Sequence, residues 1–295
     1  MDSAKIEVQP AYTIDAVLGE GAIWDAPYKR LLWVDIEKCL LHIFNPASGL
    51  NQSVDMGSRI GTVVPVDENR LLVALQTGIH LVDLQFDTRD FKGNPLQGDK
   101  IRFNDGKCDP EGRLWVGSIH MEGDEKKAAL YKIDTDFSIH QILDNITNSN
   151  GLAWNSAGDT FYYIDTPTQQ IQAFDYDRRQ GTIANPRVVV KIPKEQGSPD
   201  GMTIDNQDRL WVALYGGSAV CCFDPTDGRQ LYRVEVPAPN VTSCAFGGED
   251  LDCLYITTAR EGLDEAQLLE YPMSGCLFSA RVPAKGVPAN RFKLP

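Results

Sequence analysis

Arg209-Leu-Trp-Val-Ala213 reads as a short buried strand, and segments of the same kind return along the whole chain. The others are Arg30-Leu-Leu-Trp-Val-Asp35, Arg70-Leu-Leu-Val-Ala-Leu75, Arg113-Leu-Trp-Val-Gly117, Thr160-Phe-Tyr-Tyr-Ile-Asp165 and Cys253-Leu-Tyr-Ile-Thr257. With Leu32, Leu72, Leu114, Phe161, Leu210 and Leu254 taken as equivalent, six copies recur every 40 to 49 residues or so, the length of one four-stranded propeller blade. After a turn each copy is followed by a second strand-like run: 40–44, 79–84, 129–133, 171–176, 219–223 and 275–280. These runs are rich in branched and aromatic residues and bounded by Gly, Pro, Asn and Asp, as strands and tight turns require. A sandwich or barrel uses strands that look alike locally, and the period separates a propeller from them. Helical patterns that would alternate with strands in a parallel α/β fold are missing. The expectation is an all-β, six-bladed β-propeller forming a single domain over residues 1–295. The ring is expected to close by pairing an N-terminal strand around Ile6 to Val8 with the C-terminal segment in the same blade.

Composition bounds the function. Hydrophobic residues make up 42% and charged residues 23% of the chain, so a sizeable core is available and disorder is excluded. The formal net charge is −13, which repels phosphate backbones and anionic lipid headgroups and attracts cations. Neither nucleic acid nor a membrane is an expected partner. Met1 to Thr13 has no apolar signal region, no apolar run is long enough to span a bilayer, and the seven cysteines are scattered without a C-x-x-C pair. Reduced thiols and a cytoplasmic location follow. No local motif reports oligomeric state, and a monomer or weak dimer is expected.

Ten to twelve residues or so before every strand of the repeat lies a short polar segment, usually with glycine: Gly19-Glu20-Gly21, Gly61-Thr62, Asn104-Asp105-Gly106, Asn150-Gly151, Asp200-Gly201 and Ser243-Cys244. Any one of these is an ordinary tight turn. Their recurrence in phase is more informative, because equivalent positions of a radial repeat lie at equivalent radius and height. Glu20, Thr62, Asn104, Asn150, Asp200 and Ser243 are therefore expected to form a ring at the mouth of a central channel. Two carboxylates brought together there need a cation between them. Glu20, Asp200 and the amide oxygen of Asn150 offer oxygen only, which suits one hard divalent ion, Ca²⁺, Mg²⁺ or Mn²⁺, with Fe²⁺ and Zn²⁺ also open. The chain has no Gly-x-Ser-x-Gly elbow, Walker A loop or His-Glu-x-x-His segment to anchor other hydrolytic chemistries.

The same segments resemble the regucalcin, senescence-marker-protein and gluconolactonase family. The resemblance is carried by Gly19-Glu-Gly-Ala-Ile-Trp24, Arg102-Phe-Asn-Asp-Gly-Lys107, Ser149-Asn-Gly-Leu152, Pro199-Asp-Gly-Met202 and Phe246-Gly-Gly248, and it spans nearly the whole chain. The stretches 237–242 and 257–262 look like those of the bacterial sugar lactonases. The resemblance implies a six-bladed propeller with one divalent ion on Glu20, Asn150 and Asp200. It places Arg102 and Asn104 on the substrate and Glu122 at an acidic substrate contact, although Ile119-His-Met-Glu-Gly-Asp-Glu125 departs from the animal pattern. The activity implied is metal-dependent hydrolysis of a small sugar lactone to its aldonic acid. A water attacks a polarised carbonyl, with Asp200 as the catalytic base. The alternatives are a non-enzymatic calcium-binding regulator and a hydrolase of other esters.

Overall fold

The computed structural model describes residues 6–295. After β1 (Val8–Tyr12) come β2–β5 (Gly19–Asp25, Arg30–Asp35, Leu40–Asn45, Leu50–Asp55), β6–β9 (Ile60–Pro65, Arg70–Leu75, Gly78–Asp83, Arg89–Gly93) and β10–β13 (Ile101–Cys108, Leu114–His120, Ala128–Ile133, Ile139–Ile146). They are followed by β14–β17 (Ser149–Trp154, Thr160–Asp165, Gln170–Asp177, Thr182–Lys191), β18–β21 (Ser198–Ile204, Leu210–Tyr215, Ala219–Phe223, Gln230–Glu235) and β22–β24 (Asn240–Gly247, Cys253–Ala259, Leu277–Arg281). The repeating apolar segments fall on β3, β7, β11, β15, β19 and β23, and every pairing is antiparallel. A single six-residue helix, Glu265–Glu270, is the only α-helix among the described residues. None there is long and apolar enough to cross a membrane.

The strands form five sheets. Four of them are the four-stranded sets β2–β5, β6–β9, β10–β13 and β14–β17, and the fifth has eight strands. In that sheet β18–β21 and β22–β23–β24–β1 are joined through one pair, Tyr215 with Asn240. The N-terminal strand begins at Val8, opposite Ala280 of β24, so the two ends of the chain meet in one sheet. β2 packs against β6 and β22, β6 against β10, β10 against β14, β14 against β18, and β18 against β22. The first strands thus meet around a common axis. Burial falls from there outward: β2, β6, β14 and β22 are buried throughout, whereas β5 and β9 are largely exposed.

Second strands supply the bulk of the core. Trp33, Trp115 and Trp211 are wholly enclosed, and burying an aromatic of this size contributes a few kcal/mol each, on the order of 3. Two of them share a polar lock at the hairpin end. Asp109 accepts from Arg113 Nε at 2.6 Å and Trp115 Nε1 at 2.9 Å, and Asp205 accepts from Arg209 Nε at 2.7 Å and Trp211 Nε1 at 2.9 Å. All seven cysteines are unpaired.

Candidate functional site

The pairing of each first strand with its neighbour slips at the polar segment. The register shifts lie at Glu20/Ile23, Ile60/Thr62, Phe103/Gly106, Ser149/Leu152, Pro199/Met202 and Val241/Ser243. A bulge adds a residue to one strand and re-aims its side chain, and the same defect recurs around the axis beside the polar residue of each unit. The accompanying glycine lets neighbouring strands approach. A Cβ on Gly61 would stand 2.5 Å from the Phe103 carbonyl, and one on Gly151 would stand 2.8 Å from the Asp200 carbonyl oxygen.

Glu20, Arg102, Asn104, Asn150 and Asp200 line one cavity of about 220 Å³. Each is more than nine-tenths buried. The three distant oxygen donors singled out by the repeat therefore share one space. Asn150 donates its amide to Thr166 Oγ1 at 2.9 Å, and Thr166 donates on to the Pro199 carbonyl at 2.9 Å, which fixes the Asn150 side chain between β14 and β18. The Asn104 amide donates to the Ser149 carbonyl at 2.8 Å and to Asn150 Oδ1 at 3.3 Å. Arg102 donates from Nη1 to Asn104 Oδ1 at 2.6 Å and to the Phe103 carbonyl at 3.1 Å, so its guanidinium is held in place.

Electrostatics mark the site as short of positive charge. Desolvation, followed by the Asp105 carboxylate, pushes the Glu20 carboxyl up. Desolvation and then the charge of Glu20 do the same to Asp200. Asp105 is also raised by burial, and its Oδ2 has no hydrogen-bond partner. Such a pair holds a proton unless a cation neutralises it. Two carboxylates and an amide oxygen are a donor set fitted to a hard divalent ion. The described residues contain no grouping of three His, Cys, Asp or Glu side chains placed for a metal, so the fit rests on the amide as third donor.

The rest of the predicted set is less uniform. Thr62 spends its hydroxyl on the Gly106 carbonyl at 2.9 Å, and neither it nor Ser243 lines the cavity. Glu122 is absent from the lining as well, and its carboxylate pairs with Lys100 at 2.7 Å, with both side chains more than half exposed. Sequence reasoning missed Thr166, Tyr215 and Glu261, which line the cavity. All three sit at or just beyond the ends of second strands, and extending the repeat past those ends as far as the following loop would have found them.

A family model described as the SMP-30/Gluconolactonase/LRE-like region matches residues 18–260. The chain belongs to that family. It is 43% identical to a Bacillus subtilis protein named "Putative sugar lactone lactonase YvrE", over 92% of this chain and 93% of that protein. It is also 37% identical to regucalcin of Danio rerio, over 93% and 94% of the two chains. Among solved structures it resembles a calcium-binding regucalcin from Agrobacterium tumefaciens with a TM-score of 0.93 and 26% identity, covering 99% of this chain and all of that one. This family member shares the all-β ring of antiparallel sheets described above.

Proposed function

We propose that the chain is a divalent-metal-dependent lactonase that hydrolyses a small sugar lactone, such as gluconolactone, to the aldonic acid. The observation that carries this is the meeting of Glu20, Asn150 and Asp200 in one buried cavity beside a fixed arginine; the sugar-lactonase name of the 43% identical relative supports it. We further read the eight-stranded sheet as two blades bridged by the Tyr215–Asn240 pair, which makes the fold a six-bladed propeller of one domain.

Glu20, Asn150 and Asp200 would hold the ion through oxygen. When bound there, a divalent cation supplies Lewis acidity to the lactone carbonyl and offsets the negative charge of the two carboxylates. Arg102, whose other nitrogens make no hydrogen bond to the protein among the described residues, points its remaining donors at ring oxygens or hydroxyls. Asn104, held by β14, positions Arg102 through the bond to its own Oδ1. Asp200 is the base: one oxygen accepts the proton of the attacking water as the new C–O bond forms, and the same proton passes to the ring oxygen as the ester C–O bond breaks.

The test is a pH-stat panel of aldonolactones and aryl esters, run with and without chelator on wild type and Asp200→Ala. Chelator-sensitive opening of aldonolactones, lost by 10²-fold or more in the variant, is the expected result. Metal bound without turnover of any ester would replace the enzyme with a calcium-binding regulator, and preference for aryl esters would reassign the substrate.

A further inference from the structure

Glu261 follows β23 and reaches the cavity of Glu20, Asp200 and Arg102 from outside the ring of first strands. Its backbone is clamped. The amide donates to the Val17 carbonyl at 2.9 Å, and its own carbonyl accepts from the Tyr215 hydroxyl at 3.0 Å and from the Asn240 amide at 2.8 Å. Its carboxylate, by contrast, has no hydrogen-bond or ion-pair partner among the described residues, although Arg102 and Arg59 are near enough to act on it through charge. Glu37, another acid beside Arg102, differs in this respect. Both of its oxygens accept from Arg59 Nε, at 3.0 and 2.9 Å. The cavity lining thus contains one exposed acid that is held by its backbone and whose carboxylate is left unspent.

We infer that Glu261 reads the substrate: its carboxylate accepts a hydrogen bond from a hydroxyl of a polyhydroxylated lactone held in the cavity that Arg102 also lines. The inference rests on the lactonase reading and deepens it by assigning recognition of the sugar hydroxyls to Glu261. An ionised acceptor makes strong bonds to hydroxyls, and leaving it unpaired penalises a substrate that lacks them.

The experiment measures kcat/KM for δ-gluconolactone and for unsubstituted δ-valerolactone, in wild type, Glu261→Gln and Glu261→Asp, with thermal unfolding as a check that each variant folds. In Glu261→Gln the ratio of the two constants should fall about tenfold or more, chiefly through KM for the polyol substrate; Glu261→Asp should lie between. An unchanged ratio in folded variants overturns the inference. If wild type opens no lactone, the lactonase reading fails, and calorimetric titration of the Mn²⁺-loaded protein with gluconate decides the role of Glu261. Binding weakened in Glu261→Gln supports it; equal binding, or none in wild type, sinks it.

Discussion

His42 shows how much an individual residue's behaviour depends on where the fold puts it. On β4 it stacks on Trp33 with ring centroids 4.0 Å apart, meets Ser53 Oγ at 2.9 Å and Asn51 Nδ2 at 3.0 Å through Nδ1, and leaves Nε2 buried without a partner. Burial, aided by the charge of Lys38, pushes its pKa down to about 4. The folded ring is therefore neutral over a range in which the unfolded one, with an ordinary value near 6.5, takes up a proton. Its contribution is complete above about pH 6.5 and is lost as pH falls from there toward 4. Chemical unfolding at pH 7 and pH 4.5 should show the stability difference between these conditions shrinking by about 2 kcal/mol in His42→Phe relative to wild type. An unaltered difference would mean the imidazole takes a proton within the fold. Glu261 makes the same point for function: its chemistry depends on a carboxylate that the surrounding loop leaves without a partner.

Among the strands, the bulge in each first strand matters most for the site. It breaks pairing at one point per unit, in four of the six the polar residue beside it lines the cavity, and Gly61, Gly151 and Gly201 allow the next first strand to lie close. Gly151 is the case that joins two strands of the site, since a Cβ there would meet Met202 Cβ at 2.6 Å and the Asp200 carbonyl at 2.8 Å. Gly151→Ala should push β14 and β18 apart, destabilise the protein by roughly 1–3 kcal/mol and weaken ion binding, because Asn150 and Asp200 are carried on those two strands. Calorimetric titration with Mn²⁺ beside an unfolding curve checks both. Stability lost with ion affinity intact would show that the strand spacing does not set the site. Second strands act differently: their cores hold Trp33, Trp115 and Trp211, while their ends deliver Thr166, Tyr215 and Glu261 to the cavity.

For the whole molecule, ring closure is what places an acid from residue 20 beside one from residue 200. The cost of assembling two buried carboxylates falls on the whole fold and is offset when a cation joins them. Stability should therefore follow occupancy. With free ion at a hundred times its Kd the gain is about 2.7 kcal/mol, so chelation should lower the unfolding temperature of wild type and readdition of Mn²⁺ or Ca²⁺ should restore it, while Asp200→Asn should respond weakly to both. A wild-type transition indifferent to chelator would argue against an ion linking β2 and β18.

The all-β architecture and the meeting of Glu20, Asn150 and Asp200 in one cavity were legible in the primary structure because both follow from a periodic pattern. A pattern repeating every 40 to 49 residues or so reports radial equivalence without any knowledge of contacts. So was the closure of the ring, since a strand stranded at each terminus has to find a partner. The periodic reading put Thr62 and Ser243 on the ring, where neither lines the cavity, and Glu122, which the family resemblance put at the substrate, turns to Lys100 in solvent. Only the tertiary structure decided that Tyr215 and Asn240 fuse two sets of strands into one eight-stranded sheet, and that Glu261 lines the cavity unpaired while Glu37 is taken by Arg59. The physical reason is that pairing and desolvation belong to groups brought together from far apart in the chain. Local composition carries the period of the strands, but which polar group finds a partner is settled when the ring closes.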